Sequence, residues 1–437
     1  MNNITIELHE WEHRRPEPES ELEGLTLPED KSVRKIAEWL ARSGKLEILE
    51  LAKGLSIKAS SFVGRIKLGN ISITILPKIK GSPFLNLLRY AYGLRNLYLY
   101  SQQDYETKPQ AFQDLLIAQL ESEINELISR GLYKQYTRKD ENLMSLRGRI
   151  DFQKLVFQGG LCQAVIPCKH HPRLENCLIN QVLKAGLKFS VPLTNDLSLR
   201  AKLRRNTAFL DETVSNIKLN WKTMGTVERS MNRLTKAYTS VISVIKVLLD
   251  SSGIVLETRF ESRLKLPGFL FDMNRFFQAF ISRFLRENLD KYTVRDEYRL
   301  RKMMAYVPRY NPQKRKAPTP RPDYAILDNG KVITMLDAKY RNLWEKGLPR
   351  DMLYQLAIYA MSQKEGREAS IIYPVVDDEA EEAKIEVKDP LQGRGQAQIT
   401  LRPLNLIRLN ELISKPHTVQ KERARSELAR YLVFGHS

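Results

Sequence analysis

The sequence predicts a mixed α/β protein built from three parts. Helix-like and strand-like hydrophobic patterns alternate near the N-terminus, helical spacing dominates the middle, and β-rich runs flanked by helices return in the last third. A chain of 437 residues is also too long for one ordinary hydrophobic core. We therefore predict a small α/β module over residues 1–105, a mainly helical domain over 106–252, and an α/β domain with a central mixed sheet over 253–437.

The N-terminal module is predicted from one helix and one hairpin. Pro28, Glu29 and Asp30 open a helical pattern that runs to about Ala41. Two β-rich runs, 62–68 and 71–76, are joined at Gly69-Asn70, which is a two-residue hairpin signal. The acidic stretch 7–30 contrasts with the basic remainder and is compatible with either a partner-facing element or a solvated arm. We assign no site to it.

Apolar residues recur at helical spacing over 110–128, 174–187 and 227–249, which predicts the helical middle domain. After Gly253, an amphipathic helix over 271–288 precedes two strands. A second helix around 352–363 and a β-branched run over 369–376 follow. This order of elements predicts a sheet flanked by helices in the last third of the chain.

Composition favours a polyanionic partner. Lys and Arg outnumber Asp and Glu by 70 to 51, which gives a formal net charge of +19. Such an excess is typical of nucleic-acid-binding proteins, although a merely soluble basic protein has the same balance. No signal-peptide core and no apolar run of about 20 residues is visible, and the 3 cysteines cannot form a disulfide framework. We therefore expect a cytoplasmic protein without a membrane span.

Three charged residues near a second predicted hairpin point to chemistry. Asp337 and Lys339 end the apolar run 332–336 on one strand face, and Asp323 precedes the partner strand. Asp323 shares that face only if the Asp328-Asn329-Gly330 turn has suitable geometry. A two-residue loop places Asp323 opposite Leu336 and on the wrong face. A three-residue loop places it opposite Met335 and on the right one, so we predict the three-residue loop.

Paired carboxylates repel each other unless a cation joins them, and their hard oxygen ligands favour Mg²⁺ or Mn²⁺. We predict that Asp323 and Asp337 hold this metal, while Lys339 orients water or neutralises charge on a phosphate under attack. The alternative is an exposed Asp–Lys ion pair with Asp323 as a turn residue.

A basic loop leads directly into Asp323. It carries no acid between residues 309 and 321 and is a candidate for phosphate contacts, with a solvated linker as an equally weighted alternative. The candidate DNA-binding residues are Arg309, Lys314, Arg315, Lys316 and Arg321.

The run RPDYAILDNGKVITMLDAKY resembles the core of the PD-(D/E)xK nucleases. In MLYQLAIYA, Gln355 and Tyr359 resemble the QxxxY element of RecB-like nucleases, where ordinary packing is the alternative role. Three further segments, GNISITILPKI, LRGRIDF and LFDMNRFFQAFI, resemble successive blocks of the McrC family, the nuclease subunit of the McrBC modified-cytosine restriction system. An acidic residue often stands in that family where this chain has Gln278, which leaves Glu287 or water as the third metal ligand.

The McrC resemblance implies an endonuclease that cuts double-stranded DNA containing methylated cytosine and stimulates an AAA+ GTPase partner resembling McrB. GTP would be bound by the partner, because this chain has no GxxxxGK[ST] phosphate loop. Two alternatives remain open. One is a non-catalytic DNA-binding adaptor that activates an NTPase, and the other is a RecB-like repair exonuclease.

Overall fold

The computed structural model describes most of the chain. The described residues are 4–79, 81–94, 111–159, 164–194, 196–251, 268–301, 303–307, 309–363, 367–376, 379–414 and 418–435. Contacts group the chain into two compact units, one formed by Met1–Pro109 with Arg263–Ser437 and the other by Gln110–Ser262. The N-terminal module predicted over 1–105 and most of the domain predicted over 253–437 therefore lie in one unit, because strands from the two segments pair with each other.

The N-terminal part of the first unit contains six strands and two helices among its described residues. They are β1 (Ile4–His9), β2 (His13–Arg14), α1 (Lys31–Arg42), β3 (Leu46–Leu51), β4 (Gly54–Ala59), β5 (Phe62–Leu68), β6 (Ile71–Leu76) and α2 (Gly81–Tyr92). The Asp30 side chain caps α1 by accepting a hydrogen bond from the Ser32 amide, at 2.8 Å. The predicted turn at Gly69-Asn70 is confirmed, since Leu68 pairs with Ile71.

The second unit is mainly helical, with short strands that form a three-stranded and a two-stranded sheet. Its described elements are α3 (Ala111–Arg130), β7 (Gln135–Tyr136), β8 (Lys139–Leu143), β9 (Arg149–Ile150), α4 (Phe152–Phe157), β10 (Ile166–His170), β11 (Arg173–Leu174), α5 (Leu178–Ser190), α6 (Leu197–Asp211), α7 (Trp221–Ser230), a 3₁₀ turn (Arg233–Tyr238) and α8 (Thr239–Ser251). The helix predicted over 227–249 is wrong as one element. Asn232 and Thr235 form a capping box that starts a new helical segment there.

The C-terminal part of the first unit continues with β12 (Gly268–Asp272), α9 (Met273–Asn288), β13 (Thr293–Asp296), β14 (Tyr324–Asp328), β15 (Lys331–Ala338), α10 (Leu343–Lys346), α11 (Arg350–Met361), β16 (Glu368–Val375), β17 (Ala383–Lys388), β18 (Gly395–Asn405), α12 (Leu406–Ile413) and α13 (Val419–Phe434). Strand β12 pairs with β5 and so joins the two parts of the unit. The join requires glycine, because a Cβ on Gly64 would lie 2.1 Å from the Phe269 carbonyl oxygen.

A six-stranded mixed sheet forms the centre of this part, in the order β13-β14-β15-β16-β18-β17. Strands β15, β16 and β18 run parallel, whereas β13, β14 and β17 pair antiparallel with their neighbours. Helix α11 connects β15 to β16, as a parallel crossover requires. Its Leu356 and Tyr359 share a buried core with Met335 of β15, which fixes α11 on one face of the sheet.

No described helix has the length and apolar character needed to cross a bilayer.

Candidate active site

The hairpin between β14 and β15 brings Asp323 and Asp337 together, but not by the predicted turn. The loop has two residues, Asn329 and Gly330, with φ of 47° and 84°, as a type I′ turn requires. The predicted three-residue loop is therefore wrong. A bulge restores the shared face, because Ile326 pairs with Thr334 while Leu327 pairs with Val332, which leaves Ile333 as the extra residue.

Beyond the bulge the register places Asp323 directly opposite Asp337. Tyr324 pairs with Leu336, so the next residues outward on each strand face each other. Two hydrogen bonds hold this arrangement. The Asp323 amide donates to Asp337 Oδ1 at 3.1 Å, and the Ala338 amide donates to Asp323 Oδ2 at 2.9 Å. The predicted juxtaposition of the two carboxylates is confirmed.

The electrostatics of this pair are unfavourable in the absence of a cation. Asp337 is 3% exposed, and burial raises its pKa to about 7, with the Asp323 carboxylate adding to the rise. Burial likewise raises the pKa of Asp323, against the opposing effects of the Ala338 amide and the Lys339 charge. The fold therefore keeps two acids in a place where neither is easily charged.

Lys339 lies two residues beyond Asp337, on the same strand face. Its positive charge lowers the pKa of both aspartates, so it lies within electrostatic reach of the pair. It forms no ion pair within 4.0 Å among the described residues. Its amide donates to the Ile372 carbonyl at 3.0 Å, which anchors this end of β15 to β16. The ammonium group is thus positioned but not neutralised.

Gln355 and Tyr359 lie next to the carboxylate pair on α11. Gln355 Nε2 donates to the Tyr359 hydroxyl at 2.7 Å, as their i, i+4 spacing allows. Tyr359 is 2% exposed, and burial raises the pKa of its hydroxyl, with further contributions from Asp337 and Asp323. The Tyr359 hydroxyl, bonded to Gln355, therefore lies within electrostatic reach of both acids.

Gln278 of α9 reaches the same place. Its Nε2 donates to Asp323 Oδ2 at 3.0 Å, and its backbone carbonyl accepts from the Tyr324 hydroxyl at 2.7 Å. Glu287, the suggested substitute ligand, lies nine residues further along the helix, about 13 Å away at 1.5 Å per residue. There it accepts from Arg283 at 2.7 Å. Glu287 is therefore excluded as the third ligand, and Gln278 contributes an amide to the site.

Glu10, which lies in the stretch 7–30 to which no site was assigned, is a further buried acid near this site. Glu10 is 1% exposed, and its Oε1 accepts from the Tyr340 hydroxyl at 2.9 Å and from the Lys78 amide at 2.7 Å. Trp11 Nε1 also donates to the Tyr340 carbonyl at 3.2 Å. Glu10 and Trp11 thus support the backbone immediately after Lys339. The only sequence signal for this buried contact is that Glu10 and Trp11 lie between β1 and β2. That signal is weak, because an acidic residue at a strand end is usually exposed.

The basic loop is held at its base, close to Asp323. The Glu297 amide donates to the Asp323 carbonyl at 2.8 Å, and Arg321 pairs with Glu297 at 3.2 Å. Farther out, the Asn311 side chain bonds to the Arg315 amide and carbonyl, each at 2.8 Å. All five predicted DNA-binding residues are exposed, namely Arg309, Lys314, Arg315, Lys316 and Arg321. The loop is thus a turn-rich projection whose base adjoins the acids.

Comparison with known proteins identifies the family. A family model described as McrBC 5-methylcytosine restriction system component matches residues 57–374. No curated protein sequence matches the chain. One similar solved chain comes from a refined half-complex of a tetradecameric assembly of Thermococcus gammatolerans McrB AAA+ hexamers with bound McrC. It is 21% identical with a TM-score of 0.56, and the match covers 97% of this chain and 99% of that chain.

A second similar chain comes from a cryo-EM structure of the Thermococcus gammatolerans McrBC complex, with 22% identity and a TM-score of 0.46 over 66% of this chain and 89% of that chain. The first likeness shows a shared fold along nearly the whole length. The family model spans most of the chain, including the Asp323–Lys339 region. This protein therefore belongs to the family of McrBC 5-methylcytosine restriction system components.

Proposed function

We propose that this chain is the DNA-cleaving subunit of its restriction system, a Mg²⁺-dependent endonuclease in which Mn²⁺ can substitute. The observation that carries the proposal is the facing pair of Asp337, which is buried, and Asp323, which is half-buried. Neither forms an ion pair within 4.0 Å among the described residues, and Lys339 follows on the same strand face. A protein that only bound DNA would gain nothing from two facing acids, which repel phosphate. The β14–β15 hairpin, the parallel β15–β16 pair and α11 are consistent with a PD-(D/E)xK core.

The residues present fit a hard divalent cation. Asp323 and Asp337 offer carboxylate oxygens, and Gln278 offers an amide oxygen once its Nε2 has bonded to Asp323. Within the described part of the chain no group of three His, Cys, Asp or Glu side chains could hold a metal. Mg²⁺ suits such a sparse set, because it commonly keeps several waters and uses only one or two carboxylates. The donor set therefore favours Mg²⁺ over zinc.

The metal, when bound, supplies charge at a phosphate oxygen and acidifies the attacking water. The chain's own residues supply the remainder. Lys339 is placed to donate a hydrogen bond to that water or to a phosphate oxygen on which charge develops. Tyr359, held by Gln355, places a buried hydroxyl within electrostatic reach of the acids. The exposed basic loop positions the DNA backbone without reading its sequence.

We further propose that the chain works with an AAA+ GTPase resembling McrB, which binds the GTP, and that it stimulates that GTPase. The support is the structural likeness to a chain described as McrC bound to McrB AAA+ hexamers. The absence of a GxxxxGK[ST] loop from this sequence agrees with a nucleotide site on another subunit. The family description supports DNA containing 5-methylcytosine as the substrate.

The decisive experiment is cleavage of closed circular DNA, methylated or unmethylated, with Mg²⁺, GTP and the AAA+ partner. It compares wild type, Asp337→Ala and the control Asp328→Ala, which removes an exposed acid from the same hairpin. We expect cutting of the methylated circle by wild type and by the control, and a loss of at least about a thousandfold in Asp337→Ala. GTPase stimulation should survive in Asp337→Ala.

The other outcomes separate the alternatives. Stimulated GTPase activity with no wild-type cutting under any condition would support the adaptor. Degradation of linear DNA alone would support a repair exonuclease, because a closed circle has no ends. Unchanged cutting by Asp337→Ala would show that the active site lies elsewhere.

A further inference from the structure

An open groove of about 890 Å³ lies beside the candidate active site. Its wall is formed by a segment that precedes the basic loop and includes Arg299, Arg301 and Met303, and its floor is formed by α11 with Met335 of β15. Leu300 anchors the loop wall by packing against the core of the sheet, and its amide donates to the Pro320 carbonyl at 3.0 Å. Packing and a backbone hydrogen bond therefore hold the wall of the groove in place.

The floor of this groove is apolar and partly exposed to solvent. Its α11 side presents Ile358 and Met361, which are 37% and 54% exposed, and Met304 and Met335 contribute further thioethers. Such large apolar side chains are normally covered by a ligand or partner when they are clustered. Methionine in particular adapts to flat or irregular ligands and packs favourably against aromatic rings.

The groove lies close to the carboxylate pair along β15. Met335 precedes Asp337 by two residues on one strand face, so it lies about 7 Å from it along the strand. Ile358 and Met361 flank Tyr359 on α11. A nucleic-acid strand whose phosphate lay at Asp323 and Asp337 would therefore bring its adjacent nucleotide to the groove.

The charge around the groove selects the occupant. Residues 298–321 contain eight Lys or Arg and no Asp or Glu, which suits a polyanion rather than an ordinary polypeptide. A fully paired duplex presents phosphates and sugars outward and keeps its base faces stacked, so it has nothing to place on an apolar floor. An unpaired nucleotide offers both a flat base for the floor and a phosphate for the Arg299 and Arg301 rim.

We propose that this groove binds an unpaired nucleotide of the DNA strand, next to the phosphate held at Asp323 and Asp337. The inference rests on the proposed nuclease function for the identity of the strand. It adds that the domain recognises locally opened DNA. The exposed Tyr306 and Tyr310, 41% and 78% accessible, extend the same loop with further rings suited to base stacking.

The test measures binding by fluorescence anisotropy in EDTA, so that affinity is read without cleavage. The full-length chain is titrated with a paired duplex and with the same duplex carrying a three-nucleotide gap. Met361→Glu places a negative charge on the groove floor, and Leu391→Glu makes the same charge change at a side chain that is 94% exposed and outside the groove. Both positions are exposed, and unchanged melting curves would show that both variants fold.

We expect wild type and Leu391→Glu to bind the gapped duplex roughly tenfold more tightly than the paired duplex, since stacking of one base supplies an effect of this size. Met361→Glu should lose that preference. Arg299→Ala with Arg301→Ala should weaken both DNAs and reduce the salt dependence by about two counterions.

Equal wild-type affinity for the two DNAs, or an undiminished preference in Met361→Glu, would overturn the groove proposal. So would weaker binding of Met361→Glu to the AAA+ partner with no effect on DNA, which would identify a polypeptide as the occupant. A preference for gapped DNA in a chain that never cuts would retain the groove and reject the nuclease function.

Discussion

Two buried charged clusters occupy the same six-stranded sheet and differ in one respect. On β18, the Arg402 guanidinium is 1% exposed and fully partnered. It donates to Glu368 at 2.9 Å, to Glu382 at 3.1 Å and to Ser370 at 2.8 Å, and also to the Leu432 and Val433 carbonyls. On β15, the Asp337 carboxylate is equally buried but faces a second carboxylate.

This difference separates a cluster that stabilises the fold from a pair of acids suited to binding a cation. Burying charge costs several kcal/mol per ion unless partners compensate for it, and the Arg402 cluster contains its compensation within the fold. The Asp323–Asp337 pair has only amides, Gln278 and the nearby Lys339. The fold therefore leaves the negative charge of the two carboxylates only partly compensated at this point of the sheet, as is characteristic of sites that bind a cation.

The largest effect is expected from a substitution that removes the cation of the Arg402 cluster. Arg402→Met leaves Glu368 and Glu382 without their shared cation, so the free energy of unfolding should fall by about 3–5 kcal/mol. Urea denaturation measures this change, with the exposed Arg394→Met as control. A loss below about 1 kcal/mol would mean that the network does not stabilise the sheet.

Glu10 sharpens the comparison, because hydrogen bonds from the Tyr340 hydroxyl and the Lys78 amide hold this buried acid and no second carboxylate raises its pKa. Burial raises its pKa to about 7 from 4.5, so its contribution to stability is complete below about pH 4.5 and is lost as the pH rises through 7. Glu10→Gln removes this dependence. As the pH rises from 5 to 8, the unfolding free energy of the variant minus that of wild type should increase by up to about 3 kcal/mol. A difference that stays flat with pH would contradict the account.

The repulsion between Asp323 and Asp337 should be measurable as a change in the free energy of unfolding. Asp337→Asn removes one of two facing charges yet keeps an oxygen for the Asp323 amide, so in EDTA the unfolding free energy should rise by about 1–3 kcal/mol. Saturating Mg²⁺ should stabilise wild type but not this variant. Destabilisation by Asp337→Asn in EDTA would show that the carboxylate is structural.

The smallest effect concerns the supporting tyrosine. Tyr359→Phe removes the hydroxyl that accepts from Gln355 but retains the ring in its core, so metal affinity and cleavage should each fall about tenfold with little loss of stability. Tyr354→Phe, on the exposed side of the same helix, is the control. Equal metal affinity and equal cleavage in the two variants would show that the Gln355–Tyr359 pair contributes only to packing.

The hairpin, the charged residues at its end and the helix that follows were predictable from the sequence, since each depends on local pattern. Asp337 and Lys339 alternate at the end of an apolar run, and Asn329-Gly330 marks a turn. The pairing register was beyond such reasoning. Ile333 is a β-branched residue among similar residues, so nothing in the sequence marks it as the bulge that realigns Asp323 with Asp337.

Long-range contacts were likewise hidden. Glu10 and Tyr340 are separated by 330 positions, and Gln278 and Asp323 by 45, so neither pair leaves a periodic signal. The same holds for β12, whose pairing with β5 unites the first and last parts of the chain in one unit. Local pattern predicts elements and candidate groups, whereas their assembly depends on packing between distant segments.

Isothermal titration of Mg²⁺ or Mn²⁺ into the full-length chain tests the central claim most directly. The account predicts one saturable site in wild type and in Glu10→Gln, and loss of that site in both Asp323→Asn and Asp337→Asn. Binding that is identical in wild type and Asp337→Asn, or absent from all four proteins, would contradict the assignment of the buried carboxylate pair as the metal site.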